Sequence, residues 1–242
     1  MKKLTVVGIG AGNYDGMTVA AVKAIESADV VVGYTVYCDL IKPYFENKTF
    51  ISTPMMRETE RCRMALNHAA AGEKTAMICS GDAGVYGMAS PILELAGEYG
   101  VEVVVVSGVT AALSGAALLG SPLTGDFAVV SLSDLLTPME TIENRLCRVA
   151  EADIPIVIYN PSSRKRADYL CRACELILKY RSPDTVCAIA RMIGREGEET
   201  EIMTLAELKN RETDMFTTVF VGSSTTKIIN GKMVTPRGYR YE

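Results

Sequence analysis

The feature that most constrains the fold is a series of short apolar segments without the alternation of a half-exposed strand. Val101–Val106 is nearly pure valine, and Leu4–Gly8 and Thr75–Ser80 are also largely apolar. Strands of this kind are buried on both faces, as in a parallel sheet covered by helices. Segments with a helical pattern, such as Tyr86–Tyr99, stand between them, so the order of elements predicts an α/β fold for the first 120 residues.

The pattern changes after the segment Gly120-Ser121-Pro122-Leu123. Beyond it, Glu199–Thr204 and Phe216–Val221 are predicted as strands around a short helix, and this half could carry antiparallel strands. We therefore predict two α/β lobes, residues 1–122 and 123–242. The first has a mostly parallel sheet and the second a mixed one. A chain of 242 residues has room for two such lobes.

Charge and hydropathy exclude several classes of partner. Lys and Arg number 25 against 29 Asp and Glu, so the net charge of −4 lacks the positive footprint of a nucleic-acid binder. The apolar stretches are far shorter than the roughly 18 residues of a membrane span. We predict neither a nucleic-acid nor a membrane partner.

The cysteines and the single histidine limit the chemistry further. Seven scattered cysteines, an odd number, indicate reduced thiols in a cytoplasmic protein rather than a disulfide framework. Cys171 and Cys174 share a helix face but lack a second pair, which favours packing over metal binding. With His68 alone, no multi-histidine metal site can form within one chain, and no acid or cysteine accompanies it in a motif. We predict no metal site.

Glycine-rich turns follow the predicted strands of the first lobe. The turn Gly8-Ile9-Gly10-Ala11-Gly12 resembles a dinucleotide fingerprint, but Asn13 stands where the sixth-position glycine is needed. The turn therefore favours close approach of a ligand to the backbone over a nicotinamide cofactor. In Ser80–Met88, Asp82 is either a ligand contact or a helix cap, and in Ser107–Ala112 the same two roles are open for Thr110.

Polar loops follow the predicted strands of the second lobe. They are Ser131–Pro138, the basic loop Tyr159–Arg166, Ala190–Gly197 and Gly222–Thr226. None contains an obvious nucleophile or metal cluster. This pattern favours a reaction whose reactive group comes with a cofactor.

Together these loops resemble the tetrapyrrole (corrin/porphyrin) methylases over essentially the whole chain. The matching segments are Gly8–Gly12, Val32–Tyr34, Ser80–Met88, Gly108–Ala112, Ser131–Pro138, Tyr159–Pro161, Gly194–Glu198 and Met233–Tyr239. The motifs at Ser131–Pro138 and Met233–Tyr239 are the most specific of these segments, and they favour the corrin branch of the family. Ala11 and Ser107 replace prolines usual in the family.

The resemblance implies a two-lobed homodimer that binds S-adenosylmethionine in a cleft between the lobes. The implied cofactor contacts are Ser80, Gly81, Asp82, Val85, Thr110, Ala111, Asn160 and Ile193. The expected contacts to a tetrapyrrole substrate are Gly8, Gly10, Gly12, Met88, Ser133, Thr137, Arg164 and Arg237. Ser131 and Asp134 are the catalytic candidates, for proton handling. The alternatives are another methylase of the same fold, or a tetrapyrrole carrier that would not need the turn at Ser80–Val85.

Overall fold

The structure is a computed structural model that describes residues 2–163 and 167–240. Contacts divide the chain into two units, Met1–Ala111 and Ala112–Glu242, called here the N-terminal and C-terminal units. Within the described residues, no helix is long and apolar enough to cross a membrane.

The N-terminal unit is a five-stranded parallel sheet with helices on both faces. Its strands have the order β3-β2-β4-β1-β5 and are β1 (Lys3–Gly8), β2 (Val30–Tyr34), β3 (Thr49–Thr53), β4 (Thr75–Cys79) and β5 (Glu102–Val106). The helices are α1 (Val19–Ser27), α2 (Thr35–Ile41), α3 (Glu58–Ala70) and α4 (Ala89–Tyr99). The parallel sheet predicted from the unbroken apolar segments is confirmed.

Two buried clusters hold this sheet, one on each face. Val6 belongs to the cluster that includes residues of α3 and α4. Its neighbour Val7 belongs to the cluster that includes residues of α1 and α2. Successive side chains of a strand point to opposite faces, so a strand covered on both sides is apolar at every position.

Helix α4 starts later than the sequence predicts, at Ala89 instead of Tyr86. Tyr86 has a φ of 53°, in the left-handed region, so the turn cannot continue into a right-handed helix at that point.

The C-terminal unit contains a mixed sheet of order β10-β9-β11-β8-β7 and a small sheet of order β12-β13-β6. The strands are β6 (Gly120–Ser121), β7 (Ala128–Ser131), β8 (Ile156–Tyr159), β9 (Val186–Arg191), β10 (Glu199–Thr204), β11 (Thr217–Val221), β12 (Lys227–Ile229) and β13 (Lys232–Val234). The helices are α5 (Ala111–Leu119), α6 (Met139–Glu151), α7 (Tyr169–Ile177) and α8 (Leu205–Leu208). β7 and β8 are parallel, whereas β11 is antiparallel to β8 and β9, so the predicted mixed sheet is confirmed.

Most of α5 groups with the C-terminal unit, so the contact boundary precedes the one predicted near residue 122. Gly115 of α5 lies against Phe220 of β11, where an added Cβ would stand 2.8 Å from the ring. The helix is thereby packed on the core of the C-terminal unit.

Candidate active site

The carboxyl ends of β1 and β4 mark the place where an open α/β sheet is expected to bind a ligand. These strands are neighbours, but the helices that follow them, α1 and α4, belong to buried clusters on opposite faces. Where chain connections diverge to opposite faces of an open α/β sheet, the loops leave a crevice that binds ligands. The glycine-rich turns identified in the sequence lie at this edge.

The backbones of these turns pack too closely for side chains. Gly10 and Gly81 exchange backbone hydrogen bonds of 3.1 and 2.7 Å. A Cβ added to Gly8 would stand 2.6 Å from the Gly108 nitrogen, and one added to Gly108 would stand 2.2 Å from the Gly81 carbonyl oxygen. Gly8 and Gly10 are buried under the neighbouring turns, whereas Gly12 is half-buried. The glycines therefore bring three strand ends together as one rigid edge.

Asp82 ties two of the turns to each other. Its Oδ1 accepts a 2.8 Å hydrogen bond from the Gly84 nitrogen, and its Oδ2 accepts a 2.9 Å bond from the Gly108 nitrogen. The possibility that Asp82 caps the following helix is wrong, because α4 begins after Met88 and has no side-chain cap. The carboxylate instead fixes the spacing between the turns after β4 and β5.

The predicted cofactor contacts of this unit lie close together. A Cβ on Gly81 would stand 3.5 Å from the Thr110 Cα and 3.7 Å from the Ala111 nitrogen. Val85 is exposed on the same turn, and Met88, a predicted substrate contact, packs partly against the buried cluster beneath it. Thr110 and Ala111 are half-buried and Val85 is exposed, whereas Gly81 is buried and both its backbone nitrogen and its carbonyl oxygen are bonded to Gly10.

Three of the six non-glycine residues with left-handed backbone in the described chain lie in loops predicted to be functional. They are Tyr86 after β4, Asn160 after β8 and Met192 after β9, with φ of 53°, 51° and 53°. Asparagine tolerates this region, whereas tyrosine and methionine rarely occupy it. Such strain is frequent at ligand sites. Met56, Asp153 and Asn230 share it outside the predicted loops, so the functional role of these loops stays a prediction.

The C-terminal unit gathers its own polar loops at one sheet edge. Since β11 is antiparallel to both β8 and β9, the strands β7, β8 and β9 all run the same way. Ser131, at the end of β7, accepts hydrogen bonds at Oγ from the Asn160 side chain (2.9 Å) and the Ser133 nitrogen (3.2 Å). The structure thus brings the predicted site residues Ser131, Ser133 and Asn160 together.

Asp134 and Thr137 lie farther along the same loop. The Tyr169 hydroxyl donates a 2.7 Å hydrogen bond to Asp134 Oδ2. Thr137 is half-buried, and Leu135 and Leu136 between them are 61% and 98% exposed. Sequence reasoning did not identify Tyr169, which lies 35 residues from its partner.

Ile193 is buried beneath the turn that follows β9. It is 7% exposed, close to where a Cβ on Gly115 would stand. Any contact of this position with a ligand would therefore run through its backbone.

Tyr159, the last residue of β8, bonds the start of helix α5. Its hydroxyl accepts a 2.7 Å hydrogen bond from the nitrogen of Ala112 in the first turn of that helix.

An ion-pair network that sequence reasoning missed supports the turn after β9. Arg191 contacts Asp214 at 2.8 Å and Glu199 at 3.3 Å. Partial burial would raise the pKa of Asp214, but hydrogen bonds from the Thr217 hydroxyl and the Arg191 guanidinium outweigh it and lower that pKa. The network holds β9, β10 and the segment before β11 together.

Arg164 and Arg237 are the two basic residues predicted to bind carboxylates of the substrate. Arg164 lies outside the described residues. Arg237 is exposed, and its guanidinium carbon lies 5.7 Å from the centroid of the Tyr239 ring.

His68 and three buried cysteines of the N-terminal unit are not arranged as reactive groups of these loops. His68 contacts Glu73 at 2.7 Å, just before the amino end of β4 and therefore at the sheet edge opposite the glycine turns. Burial raises the pKa of the Cys38, Cys62 and Cys79 thiols to about 11, which keeps them protonated and unreactive. Nowhere in the described parts of the chain do three or more His, Cys, Asp or Glu side chains come together as metal ligands.

Comparison with known proteins assigns the family. The model of the tetrapyrrole (corrin/porphyrin) methylases matches residues 3–209. The chain belongs to this family and is a methyltransferase of the class that uses S-adenosylmethionine. The resemblance seen in the loops is thereby confirmed.

Two relatives of nearly the same length as this chain are C(17)-methyltransferases by name. The chain is 44% identical over 238 residues to a probable cobalt-factor III C(17)-methyltransferase of Salmonella typhimurium, covering 98% of this chain and 99% of the relative. It is 36% identical over 246 residues to a precorrin-3B C(17)-methyltransferase of Sinorhizobium sp, covering 98% and 96%.

Solved structures share the fold. The crystal structure of the methyltransferase CobJ superposes with a TM-score of 0.89 at 33% identity, covering 97% of this chain and 99% of that one. A uroporphyrin-III C-methyltransferase from Thermus thermophilus, solved with S-adenosyl homocysteine, has a TM-score of 0.72 at 22% identity, covering 91% and 97%. At that identity the second likeness concerns the fold alone.

Proposed function

We propose that this protein transfers a methyl group from S-adenosylmethionine to carbon 17 of a corrin precursor, with contraction of the macrocycle. The observation that carries the proposal is the end-to-end similarity to C(17)-methyltransferases, which covers 98% of this chain. The substrate is either precorrin-3B or its cobalt-containing counterpart. Any cobalt arrives within the substrate, which suits a chain for which no metal site is predicted.

In this proposal the N-terminal unit holds the cofactor through its glycine turns. Ser80, Thr110 and Ala111 would offer backbone groups and Val85 an apolar contact. Gly81, whose backbone groups are bonded to Gly10, remains a predicted contact. Asp82 maintains the turn spacing through Gly84 and Gly108. Asn160 and Ile193 remain predicted cofactor contacts. When bound, S-adenosylmethionine supplies an activated methyl group with its own leaving group.

The chain's contribution to catalysis is then mainly orientation. Positioning two reactants can supply about 7–11 kcal/mol of the barrier. An electron-rich tetrapyrrole carbon needs no strong protein base to accept a methyl group. We assign proton handling during ring contraction to Ser131 Oγ and the Asp134 carboxylate. Ser133, Thr137, Arg237, Gly8, Gly10, Gly12 and Met88 remain predicted substrate contacts.

A direct assay tests the function. The purified protein is incubated with S-adenosylmethionine and either precorrin-3B or cobalt-factor III, and products are followed by mass and absorbance. Gain of one methyl group with a contracted ring is the expected result, and the better substrate identifies the metal state. A bound but unchanged ring would point to a carrier, and absence of cofactor binding in calorimetry would refute the methyltransferase proposal.

We also propose, from the family resemblance, that the protein is a cytoplasmic homodimer. Light scattering coupled to size-exclusion chromatography would give twice the 26.1 kDa mass of the chain. Cell fractionation should recover the protein with cytoplasmic enzymes. A mass equal to one chain, or recovery in another fraction, would contradict the respective assignment.

A further inference from the structure

The loop that carries Asp134 is held at two points by side-chain hydrogen bonds. Near its start, Ser131 is bonded to Asn160. At its middle, Asp134 Oδ2 accepts the 2.7 Å bond from the Tyr169 hydroxyl. Since Tyr169 is the first residue of α7, this second bond connects the loop to a helix that is distant in sequence.

Tyr169 is half-buried at the edge of the packed interior. The ring packs against the buried cluster of the C-terminal unit. Leu132, at the start of the loop, belongs to that cluster and is 2% exposed. A ring locked by packing presents its hydroxyl at a defined place, which is what a precise site needs from its supporting residues.

The segment beyond Asp134 has much less apolar packing. Leu135 is 61% exposed and Leu136 is 98% exposed. Side-chain burial therefore cannot set the position of this part of the loop, and directional hydrogen bonds carry the task. The Tyr169–Asp134 bond links the middle of the loop to a residue that packs on the core.

The chemistry of the donor is also suited to a functional carboxylate. Arg172 lies one turn along α7 and could compete for Asp134, but its guanidinium pairs with Glu143 of α6. The Tyr169 hydroxyl is a neutral donor, so this bond orients the Asp134 carboxylate without adding an opposite charge.

We propose that Tyr169 is a positioning residue for methyl transfer: its hydroxyl holds Asp134 and the loop 132–138 in the orientation that the corrin substrate requires. This inference rests on the proposed function, because it takes Asp134 as a group that meets the substrate. Tyr169 itself acts through Asp134 and is assigned no contact with substrate or cofactor.

A double-mutant cycle tests the proposal. Tyr169→Phe keeps the packed ring and removes the hydroxyl, so the melting temperature and the dissociation constant for S-adenosylmethionine should stay near those of the wild type. The turnover number, kcat, with the corrin substrate should fall about tenfold or more, as expected for loss of a hydrogen bond to a charged group. In an Asp134→Ala background, the same substitution should cause no further loss.

Tyr180→Phe is the matched control, because Tyr180 lies just beyond α7 and is 45% exposed. It should leave kcat unchanged. Wild-type kcat for Tyr169→Phe, or an equal loss in both Asp134 backgrounds, would overturn the positioning role.

Hydrogen exchange separates this inference from the proposed function. In Tyr169→Phe, amides of residues 133–137 should exchange faster than in the wild type, while those of the glycine turns should not change. A wild-type protein that transfers no methyl group would refute the function, and unchanged exchange in the loop would refute the positioning role whatever the activity.

Discussion

Gly108→Ala should disrupt the edge formed by the glycine turns. The added Cβ would stand 2.2 Å from the Gly81 carbonyl oxygen and 2.5 Å from the carbonyl carbon and oxygen of Gly8. Ordinary contacts between such atoms are about 3.5 Å, so the turns must separate by roughly 1 Å. The obstructing atoms are backbone, which cannot rotate away as a side chain could.

The expected cost follows from this overlap. Overpacking by one methyl group costs about 1–3 kcal/mol, and contact with backbone on two sides places this variant near the upper end. For a chain of this length the melting temperature should fall by about 6–12 °C. The shift also strains the Gly108–Asp82 hydrogen bond. A misplacement of 1 Å can lower the rate about 100-fold.

Gly97→Ala is the matched control, since it adds the same methyl group in the same unit. Gly97 lies within α4, and an added Cβ would meet no atom within 4 Å. Alanine favours helix by about 1 kcal/mol over glycine, so this variant should be slightly more stable and fully active.

Differential scanning calorimetry, titration with S-adenosylmethionine and the methyl-transfer assay should be run on both variants. The reasoning predicts that Gly108→Ala binds the cofactor more weakly and loses kcat/KM, while Gly97→Ala does neither. Wild-type stability and cofactor affinity in Gly108→Ala would show that the turns do not depend on this close approach.

Three further results are expected. A thiol reagent at pH 8 should quickly label two cysteines of the native protein, the half-buried Cys147 and Cys171, and all seven after denaturation. Burial raises the pKa of thiols such as Cys79 and slows their reaction. Rapid labelling of more than two cysteines would contradict this burial. Asp214→Asn should destabilise the protein near pH 6, because a lowered folded-state pKa stabilises the fold above the ordinary value of 3.8. In urea unfolding this deficit should shrink as the pH falls below that value, and a pH-independent deficit would refute the linkage. Tyr159→Phe removes the hydroxyl that accepts the bond from the Ala112 nitrogen and should lower the free energy of unfolding by about 1 kcal/mol in urea titrations. An unchanged free energy of unfolding would show that this bond does not stabilise the fold.

Local sequence patterns predicted much of the architecture. Unbroken apolar segments such as Val101–Val106 identified strands covered on both faces, and the structure places them in a parallel sheet. The glycine turns and the loop 131–138 also follow strands as expected. The small sheet of β6, β12 and β13 was not predicted, because strands of two or three residues are too short to show a period.

The chain's sequence by itself determined the longer strands and helices, the presence of turns between them and the family, since periodicity and turn chemistry are encoded within a few residues. Tertiary structure alone decided which distant groups meet. Asp82 finds Gly108 at a separation of 26 residues, and Asp134 finds Tyr169 at a separation of 35. Such bonds depend on strand order and helix packing, which no local pattern specifies, and they set the geometry of the candidate site.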